Sequence, residues 1–313
     1  MQSMPKVNIL LSTYNGVKHL SKQLKSIERQ SYKNFDLYIR DDHSHDETLE
    51  YIRAYAKSIT QFRVIILENH GKNLGVPASF YDMLHHCEPA DYYAFCDQDD
   101  IWYKDKIKKG VAALERKSNS ERGKSIRLYY SAYDYYTDSN AYIRSSPVQG
   151  DNLTLSDVLY YTPGSGFVIL INEAARQELC LKVNPGNELH DRWLIRGATC
   201  FGDVIYDKSS TASHIRHEEA VTAGDSTMIS QILYFMKKEL FGNQSKIEKY
   251  HLTYFLEEFR KQLSKEQREL LELFTYVGAN PIVWIRKVFY PKRLRARLLG
   301  EVALRILFFT GRL

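Results

Sequence analysis

This chain of 313 residues has only 4 cysteines, and they lie far apart with no Cys-x-x-Cys pair. Such spacing suits neither a zinc site nor a disulfide framework, so we interpret Cys87, Cys96, Cys180 and Cys200 as reduced packing residues. Long apolar runs are also missing, and we expect no helix that spans a membrane. The first residues run straight into a strand-like segment without the pattern of a secretion signal, which predicts a cytoplasmic protein.

Two glycine-rich loops that cradle phosphates are absent as well. Neither Gly-x-Gly-x-x-Gly nor Gly-x-x-x-x-Gly-Lys-Ser/Thr occurs, which argues against a dinucleotide fold and against a P-loop enzyme. A nucleotidyltransferase would carry a glycine-rich basic loop after the first strand, where this chain has Thr13-Tyr-Asn-Gly16. If a phosphate is bound, we therefore expect a metal ion to neutralise it.

What the sequence does contain is a regular alternation of strands and helices. Apolar, β-rich runs at 7–12, 35–41, 63–67 and 92–96 are each followed by a polar turn and a helical pattern. This spacing predicts an open α/β sheet of mostly parallel strands with flanking helices. In such sheets ligands bind at the carboxyl ends of the strands, where Thr13, Asp41, Asn73 and Asp97 fall.

The fourth of these strands ends in three carboxylates, Asp97, Asp99 and Asp100. Carboxylates this close resist ionising together unless solvent or a cation neutralises them. Hard oxygen ligands suit Mg2+ or Mn2+, which keeps positions open for substrate phosphates. The alternative is an Asp-rich turn that caps the next helix, predicted over residues 104–116.

Four segments, in this order along the chain, resemble the motifs of a known enzyme family. They are Leu10-Leu-Ser-Thr-Tyr-Asn-Gly16, Ile39-Arg-Asp-Asp-His-Ser-His-Asp-Glu-Thr48, Asn73-Leu-Gly-Val76 and Phe95-Cys-Asp-Gln-Asp-Asp-Ile-Trp102. Together they resemble family 2 glycosyltransferases of the GT-A fold. The Asp-Gln-Asp-Asp-Ile-Trp form and the ending Phe-Phe-Thr-Gly-Arg-Leu are similar to bacterial rhamnosyltransferases of surface polysaccharide synthesis.

The resemblance implies a GT-A catalytic domain over residues 1–224, with a nucleotide-sugar half at 1–103 and an acceptor half at 104–224. It implies an inverting enzyme that moves a sugar from a nucleotide-sugar donor to a lipid-linked oligosaccharide or glycan acceptor. The subfamily similarity favours L-rhamnose from a dTDP donor. UDP-glucose, UDP-galactose, a UDP-N-acetylhexosamine and a non-catalytic sugar-nucleotide-binding protein remain alternatives.

Site residues follow from the same resemblance. The implied metal ligands are Asp97, Asp99 and His217, with Mg2+ or Mn2+ as the ion. The implied nucleotide-sugar-binding residues are Thr13, Tyr14, Asn15, Asp41, Asp42, Asn73, Asp97 and Asp100.

An inverting transfer also needs a general base for the acceptor hydroxyl. The candidate is Asp191 in His190-Asp-Arg-Trp193, where the family usually has an acidic pair. Since His190 replaces the first acid, Asp191 alone carries the assignment, and His190 is interpreted as either a tuning neighbour or a surface residue. The alternative for Asp191 is a helix cap.

The sequence allows two roles for each of two further segments. The tyrosine-rich stretch at 128–136 either stacks on sugars or forms part of a sheet, and the Pro-Gly turn at 162–166 either approaches the acceptor or is a simple turn.

The last part of the chain, residues 225–313, is predicted to be helical and basic. Residues 280–313 carry eight basic side chains and one acid, a local charge of +7 against +5 for the whole chain. Because these cations alternate with apolar residues over 283–309, we expect a basic amphipathic helix on an anionic membrane rather than a nucleic-acid-binding segment. This predicts peripheral attachment to the inner face of the plasma membrane. The alternative is packing against the catalytic domain or, in a homo-oligomer, against a second subunit.

Overall fold

The computed structural model describes residues 4–69, 71–116, 125–150, 152–216 and 242–313. The chain forms two compact units. The first comprises Met1–Asn152 and Pro163–Ala220, and the second comprises Leu153–Thr162 and Val221–Leu313. The predicted boundary at residue 224 lies outside the described residues, and the segment Leu153–Thr162 groups with the second unit.

The first unit is built on one sheet. Its strands are β1 (Val7–Thr13), β2 (Phe35–Asp41), β3 (Arg63–Leu67), β4 (Tyr92–Cys96), β5 (Ile101–Trp102), β6 (Ile126–Thr137), β7 (Tyr142–Ser145), β8 (Ile169–Asn172) and β9 (Gly202–Arg216). The strand order is β3-β2-β1-β4-β8-β6-β9-β5, and β7 pairs with β6. The four strands predicted from the alternating pattern are confirmed to within one residue at their ends.

The parallel half of the sheet brings the predicted polar residues to one edge. β1 is parallel to both β2 and β4, with Thr13 opposite Asp41 and Leu11 opposite Cys96. Asp97 follows Cys96 directly and therefore leaves the sheet at the same edge. Both faces of these strands are buried, which explains why Val7–Leu11 reads as a nearly continuous apolar run.

Helices flank this sheet. They are α1 (Val17–Glu28), α2 (Thr48–Ser58), α3 (Val76–His86), α4 (Lys106–Arg116), α5 (Glu173–Arg176, continued by the π-helical turn Gln177–Leu181) and α6 (His190–Phe201). In α1, helical spacing places Leu20, Leu24 and Ile27 on one face, and all three are buried.

The other half of the sheet is mixed. β8 is antiparallel to β4 and β6, whereas β9 runs parallel to β6 as far as Thr137 opposite Arg216. From the run at 203–206 the sequence predicts only a short strand, with His214 in the loop after it, and that prediction is wrong. The long β6 supplies backbone partners along the whole of β9, so the strand continues through His214.

The second unit is helical. Its elements are the 3-10 turn Leu155–Val158 and the helices α7 (Gln244–Phe259), α8 (Lys265–Thr275), α9 (Pro281–Val288) and α10 (Leu298–Phe309). Ser264 and Gln267 form a capping box at the start of α8. Tyr160, Phe274 and Phe308 form an aromatic cluster in the core of this unit. Residues 225–241 of the predicted helical region lie outside the described residues.

The predicted single basic helix over 283–309 is wrong. The structure has two helices, separated by residues 289–297. Pro291 explains the break, because its ring removes a backbone donor and disfavours helical geometry at the residue before it. No helix among the described residues has the length and apolar character needed to cross a bilayer.

Candidate active site

A hydrogen bond joins Thr13, at the end of β1, to Asp41, at the end of β2. The Thr13 hydroxyl donates to Asp41 Oδ1 at 3.0 Å, and Ser44 donates its backbone N–H and its hydroxyl to the same carboxylate at 2.9 and 2.6 Å. Thr13 and Asp41 are therefore brought together as predicted. Both are buried, and the Asp41 carboxylate already accepts hydrogen bonds from Thr13 and Ser44. Tyr14 is 44% exposed, so a ligand can reach its side chain.

Asn15 holds this loop against the loop after β2. It adopts a positive φ of 47°, its N–H donates to Ser44 Oγ at 2.8 Å, and its Oδ1 accepts from the His45 N–H at 2.8 Å. Asn is one of the few residues that tolerate this left-handed geometry. In this structure its side chain positions a neighbouring loop.

Gln98, which the sequence interpretation passed over, ties the Asp cluster to the first loop. Its Oε1 accepts from the Tyr14 N–H at 2.8 Å and its Nε2 donates to the Tyr14 carbonyl at 3.0 Å. A Cβ at Gly16 would lie 2.0 Å from Gln98 Oε1, so a larger residue there would displace the Gln98 side chain from its present position. In the sequence, the position of Gln98 between Asp97 and Asp99 was the feature that could have indicated a role for it in the site.

Asp42 and Asn73 shape the loop before α3. Asp42 accepts from the N–H groups of Leu74 at 2.9 Å and Gly75 at 2.7 Å, and it lies 3.6 Å from the Arg40 guanidinium. Asn73 Oδ1 accepts from the same Gly75 N–H at 3.0 Å. Asp42 is buried, and its oxygens are occupied by backbone donors and by Arg40.

The carboxylates after β4 have a different environment. Asp97 and Asp99 are partly exposed, whereas Asp100 is buried. Burial holds the pKa of Asp97 well above its usual range, and the charges of Asp100, Asp99 and Asp191 raise it further. Asp191 therefore lies close enough to this cluster to act on it electrostatically.

His214 is the partner of Asp100. Its Nδ1 lies 2.8 Å from Asp100 Oδ1, and Asp100 Oδ2 has no hydrogen-bond partner among the described residues. Burial raises the pKa of Asp100 to about 6, although the hydrogen bond from His214 and its charge act against that rise. The same hydrogen bond raises the pKa of His214.

Lys106 lies fully buried near this pair. Its Nζ is 3.5 Å from Thr211 Oγ1 and 4.9 Å from the centroid of the Trp102 ring. Burial lowers its pKa to about 7, and the neighbouring Cys96 and Asp100 oppose that shift. The sequence interpretation missed this residue, since helical spacing alone does not distinguish a buried lysine from an exposed one.

Asp191 is the second residue of α6. The capping position belongs to Leu189, which makes no side-chain cap, and Asp191 Oδ1 accepts from the Arg192 N–H at 2.6 Å. Burial raises the pKa of Asp191 to about 6, against the hydrogen bond and charge of Arg192, while Glu188 raises it. A carboxylate with this pKa can accept a proton from a hydroxyl near neutral pH.

A buried ion pair fixes the start of α6. Arg196 Nη1 donates to both oxygens of Glu188 at 2.8 Å, and the Tyr81 hydroxyl donates to the Glu188 carbonyl at 3.0 Å. The Trp193 ring nitrogen donates to the Leu179 carbonyl at 2.7 Å. These bonds hold the backbone on either side of Asp191.

His190 is not a surface residue. Its ring lies 4.3 Å from that of Phe80 and 4.7 Å from that of Phe95, and a Cβ at Gly166 would lie 2.2 Å from its Nε2. Burial lowers the pKa of His190 to about 3, so the imidazole is neutral. From the start of α6 its ring packs against α3, β4 and the turn at Gly166.

The predicted metal ligands are described only in part. His217 lies outside the described residues. Within the ranges that the structure describes, no three His, Cys, Asp or Glu side chains are placed to hold a metal together. Asp97 and Asp99 lie at one strand end, and an ion held by both would take its other ligands from elsewhere.

Comparison with known proteins agrees with this fold. A model of glycosyl transferase family 2 matches residues 8–164. A dTDP-rhamnosyl transferase, RfbG, of Shigella flexneri is 35% identical over 122 residues, which cover 38% of this chain and 42% of that protein. A putative glycosyltransferase, EpsE, of Bacillus subtilis is 36% identical over 116 residues, 37% of this chain and 41% of its own length.

Solved structures extend the fold comparison to nearly the whole chain. TarS of S. aureus has a TM-score of 0.54 at 15% identity, covering 98% of this chain and 82% of that one. The mannosyltransferase PcManGT of Pyrobaculum calidifontis has a TM-score of 0.57 at 12% identity, covering 100% of this chain and 89% of that one. These establish a common fold. The family model matches half of the sequence, and this chain belongs to glycosyl transferase family 2.

Proposed function

We propose that this protein is an inverting, metal-dependent glycosyltransferase that moves L-rhamnose from a dTDP-activated donor to a lipid-linked or polysaccharide acceptor. The observation that carries the proposal is the convergence of the carboxylate cluster after β4 with Asp191 of α6. The charge of Asp191 raises the pKa of Asp97, so a candidate base lies beside a candidate diphosphate site.

The chemistry assigned to Asp191 is proton removal. Its carboxylate takes the proton of the acceptor hydroxyl as the oxygen forms a bond to the anomeric carbon of the sugar. The bond from that carbon to the diphosphate breaks on the opposite face, which inverts the configuration. Glu188, paired with Arg196, keeps the base in place.

A divalent ion fits the residues present. Asp100 has an unpartnered buried oxygen, and the like charges around Asp97 are of the kind that a cation relieves. We assign Asp97 and Asp99 as the residues that would hold Mg2+ or Mn2+. When bound, such an ion neutralises the charge that develops on the leaving diphosphate.

The donor assignment rests on the similarity to the dTDP-rhamnosyl transferase of Shigella flexneri, which covers less than half of either chain. The test is hydrolysis of a panel of nucleotide sugars with Mn2+ and with Mg2+. We expect dTDP-L-rhamnose to be turned over fastest. A preference for UDP-glucose, UDP-galactose or a UDP-N-acetylhexosamine would keep the mechanism and replace the donor, and turnover of no nucleotide sugar would favour a non-catalytic binding protein.

The second unit supports attachment to an anionic membrane. Apolar side chains of α9, α10 and the segment between them are exposed, and they are Ile282, Ile285, Phe289, Leu298, Leu299, Val302 and Phe309. Exposed cations lie among them in the sequence, and they are Arg286, Lys292, Arg293, Arg297 and Arg312. Exposed apolar groups interleaved with cations suit an interface that a lipid-linked acceptor also occupies.

The helix-packing alternative holds for other residues of the same segment. Lys287 is buried and donates to the carbonyls of Tyr276 and Leu313, and Arg295 pairs with Glu248 at 2.6 Å. Deleting residues 281–313 would therefore also remove part of the core of the second unit. Point variants test the membrane proposal more sharply.

We expect Phe289→Ser with Leu298→Ser to lower binding to anionic liposomes at least tenfold while the melting temperature stays near that of the parent. A matched control is Val277→Ser, an exposed residue outside α9 and α10. Flotation of the parent, the double variant and the control with anionic and neutral vesicles measures this. A parent protein that ignores anionic vesicles at low salt would contradict the membrane assignment and favour the packing alternative.

A further inference from the structure

Two guanidinium groups lie over one tyrosine ring beside the candidate active site. The Cζ of Arg144, on β7, is 4.2 Å from the centroid of the Tyr135 ring, and the Cζ of Arg216, at the end of β9, is 4.8 Å from it. We call Tyr135, Arg144 and Arg216 the arginine–tyrosine cluster. Three separate strands supply its members, so the cluster exists only in the folded sheet.

This cluster is contiguous with the carboxylate pair of the site. Tyr135 is opposite His214 in the pairing of β6 with β9, and its ring centroid lies 5.6 Å from that of His214 in an edge-on arrangement. His214 in turn contacts Asp100 at 2.8 Å. Residues two apart on a strand share a face, so Arg216 projects on the same side of β9 as His214.

Among the residues that the structure describes, no acid pairs with either arginine of the cluster. Arg144 Nη1 donates to the Ser145 carbonyl at 3.2 Å, and within the described ranges neither guanidinium forms an ion pair. By contrast, the buried arginines Arg176 and Arg196 pair with Glu173 and Glu188. Stacking on an aromatic ring orients a guanidinium while leaving its N–H edge available.

An available guanidinium edge has a preferred ligand. Its planar fork of N–H donors matches the oxygens of a phosphate, and such charge-assisted hydrogen bonds are strong. A sugar hydroxyl would need no cation, and no carboxylate among the described residues pairs with either arginine. The vicinity of Asp97, Asp99 and Asp100 makes two such cations useful for an anionic substrate group, since they oppose the repulsion from those carboxylates.

We propose that Arg144 and Arg216 bind a phosphate or diphosphate group of a substrate, with Tyr135 holding the two guanidinium planes. The group has two sources, the diphosphate of the sugar donor or a phosphate of the acceptor. Only this choice of sources rests on the proposed function. The binding itself is measurable without turnover.

Calorimetric titration with inorganic pyrophosphate, UDP and dTDP tests the proposal on the full chain. Arg144→Gln and Arg216→Gln each weaken the binding of the phosphate-bearing probe roughly tenfold, and the double variant weakens it further. Tyr135→Leu loses affinity as the arginine variants do, whereas Tyr135→Phe keeps the ring and stays near the parent. Arg53→Gln, an exposed arginine on α2, is the matched control.

The two sources give different results. If the affinities for UDP or dTDP and for pyrophosphate fall together, the cluster holds the donor diphosphate. If those affinities persist while KM rises for an alkyl-diphosphate-linked sugar, but not for the neutral alkyl glycoside, the cluster holds an acceptor phosphate. Unchanged affinities and KM values in a folded double variant overturn the proposal. If Asp99→Ala abolishes turnover but the arginine variants still weaken phosphate binding, the cluster binds phosphate independently of the transfer reaction.

Discussion

Carboxylates lie at two places along one edge of the sheet, and their surroundings differ. Asp41 and Asp42, at the end of β2, accept hydrogen bonds from the loops that they join. Asp97, after β4, feels the charges of Asp100 and Asp191, and burial raises the pKa of all three. The sequence presents both groups alike, as aspartates that follow a strand.

This difference separates carboxylates that stabilise a loop from carboxylates that can take part in catalysis. A buried carboxylate whose oxygens accept hydrogen bonds from a neighbouring loop stabilises that loop. A carboxylate crowded by like charge and short of donors is ready to take a cation or a proton. We therefore expect substitutions after β4 and on α6 to remove activity, and those after β2 to remove stability.

The largest effect should follow from Asp99→Ala. If Asp99 holds the ion that neutralises the leaving diphosphate, turnover is abolished, while the fold survives because the side chain is partly exposed. Initial rates with Mn2+ and with excess EDTA, together with thermal unfolding, measure this. Glu50→Ala, an exposed acid on α2, is the control. Full activity in EDTA or in the variant would contradict the metal assignment.

Asp191→Asn should lower kcat by about 10²- to 10⁴-fold, the usual loss on removing a general base. Donor affinity should change little, because the base acts on the acceptor. Single-turnover rates and a donor titration separate the two effects. Near-normal turnover would place the base elsewhere and leave Asp191 as a first-turn helix residue.

A smaller effect should appear on lowering the pH. The base works only when ionised, and the pKa of Asp191 is about 6, so kcat should fall by roughly tenfold per pH unit below that value. Asp100, which also has a pKa of about 6, titrates in the same range. Donor affinity measured over the same pH series isolates any contribution of Asp100. A rate that is flat from pH 7 to pH 5 would exclude Asp191 as the base.

Asp42→Ala should give the smallest effect on catalysis and the clearest one on stability. The Leu74 N–H loses its acceptor, the Gly75 N–H keeps only Asn73 Oδ1, and Arg40 loses one of its acidic neighbours, which we expect to cost about 3 kcal/mol of unfolding free energy. Urea denaturation measures the cost, and kcat per folded molecule should stay within about tenfold of the parent. If kcat collapses while stability is kept, the distinction between the two carboxylate groups fails.

Much of the parallel half of the sheet could be predicted from the sequence, because residues close together in the chain indicate its strands and turns. Each of β1 to β4 is a short apolar run between turn residues, and parallel pairing then brings Thr13, Asp41 and Asp97 to one edge without further information. The break at Pro291 was also a local signal, which the charge pattern of the tail obscured. By contrast, the extension of β9 depends on β6, a strand whose partners cannot be read from the sequence of β9.

The sequence by itself determined the alternation of strands and helices, the edge of the sheet that carries the polar residues, and the presence of an acidic cluster there. These follow from periodicity and from the direction of parallel strands. Only the tertiary structure decided which carboxylates are satisfied, that His214 partners Asp100, that Gln98 locks the first loop, and that Arg144 and Arg216 meet on Tyr135. The physical reason is that hydrogen bonding and burial depend on neighbours distant in the chain, whereas strand and helix formation depend mainly on neighbours close in it.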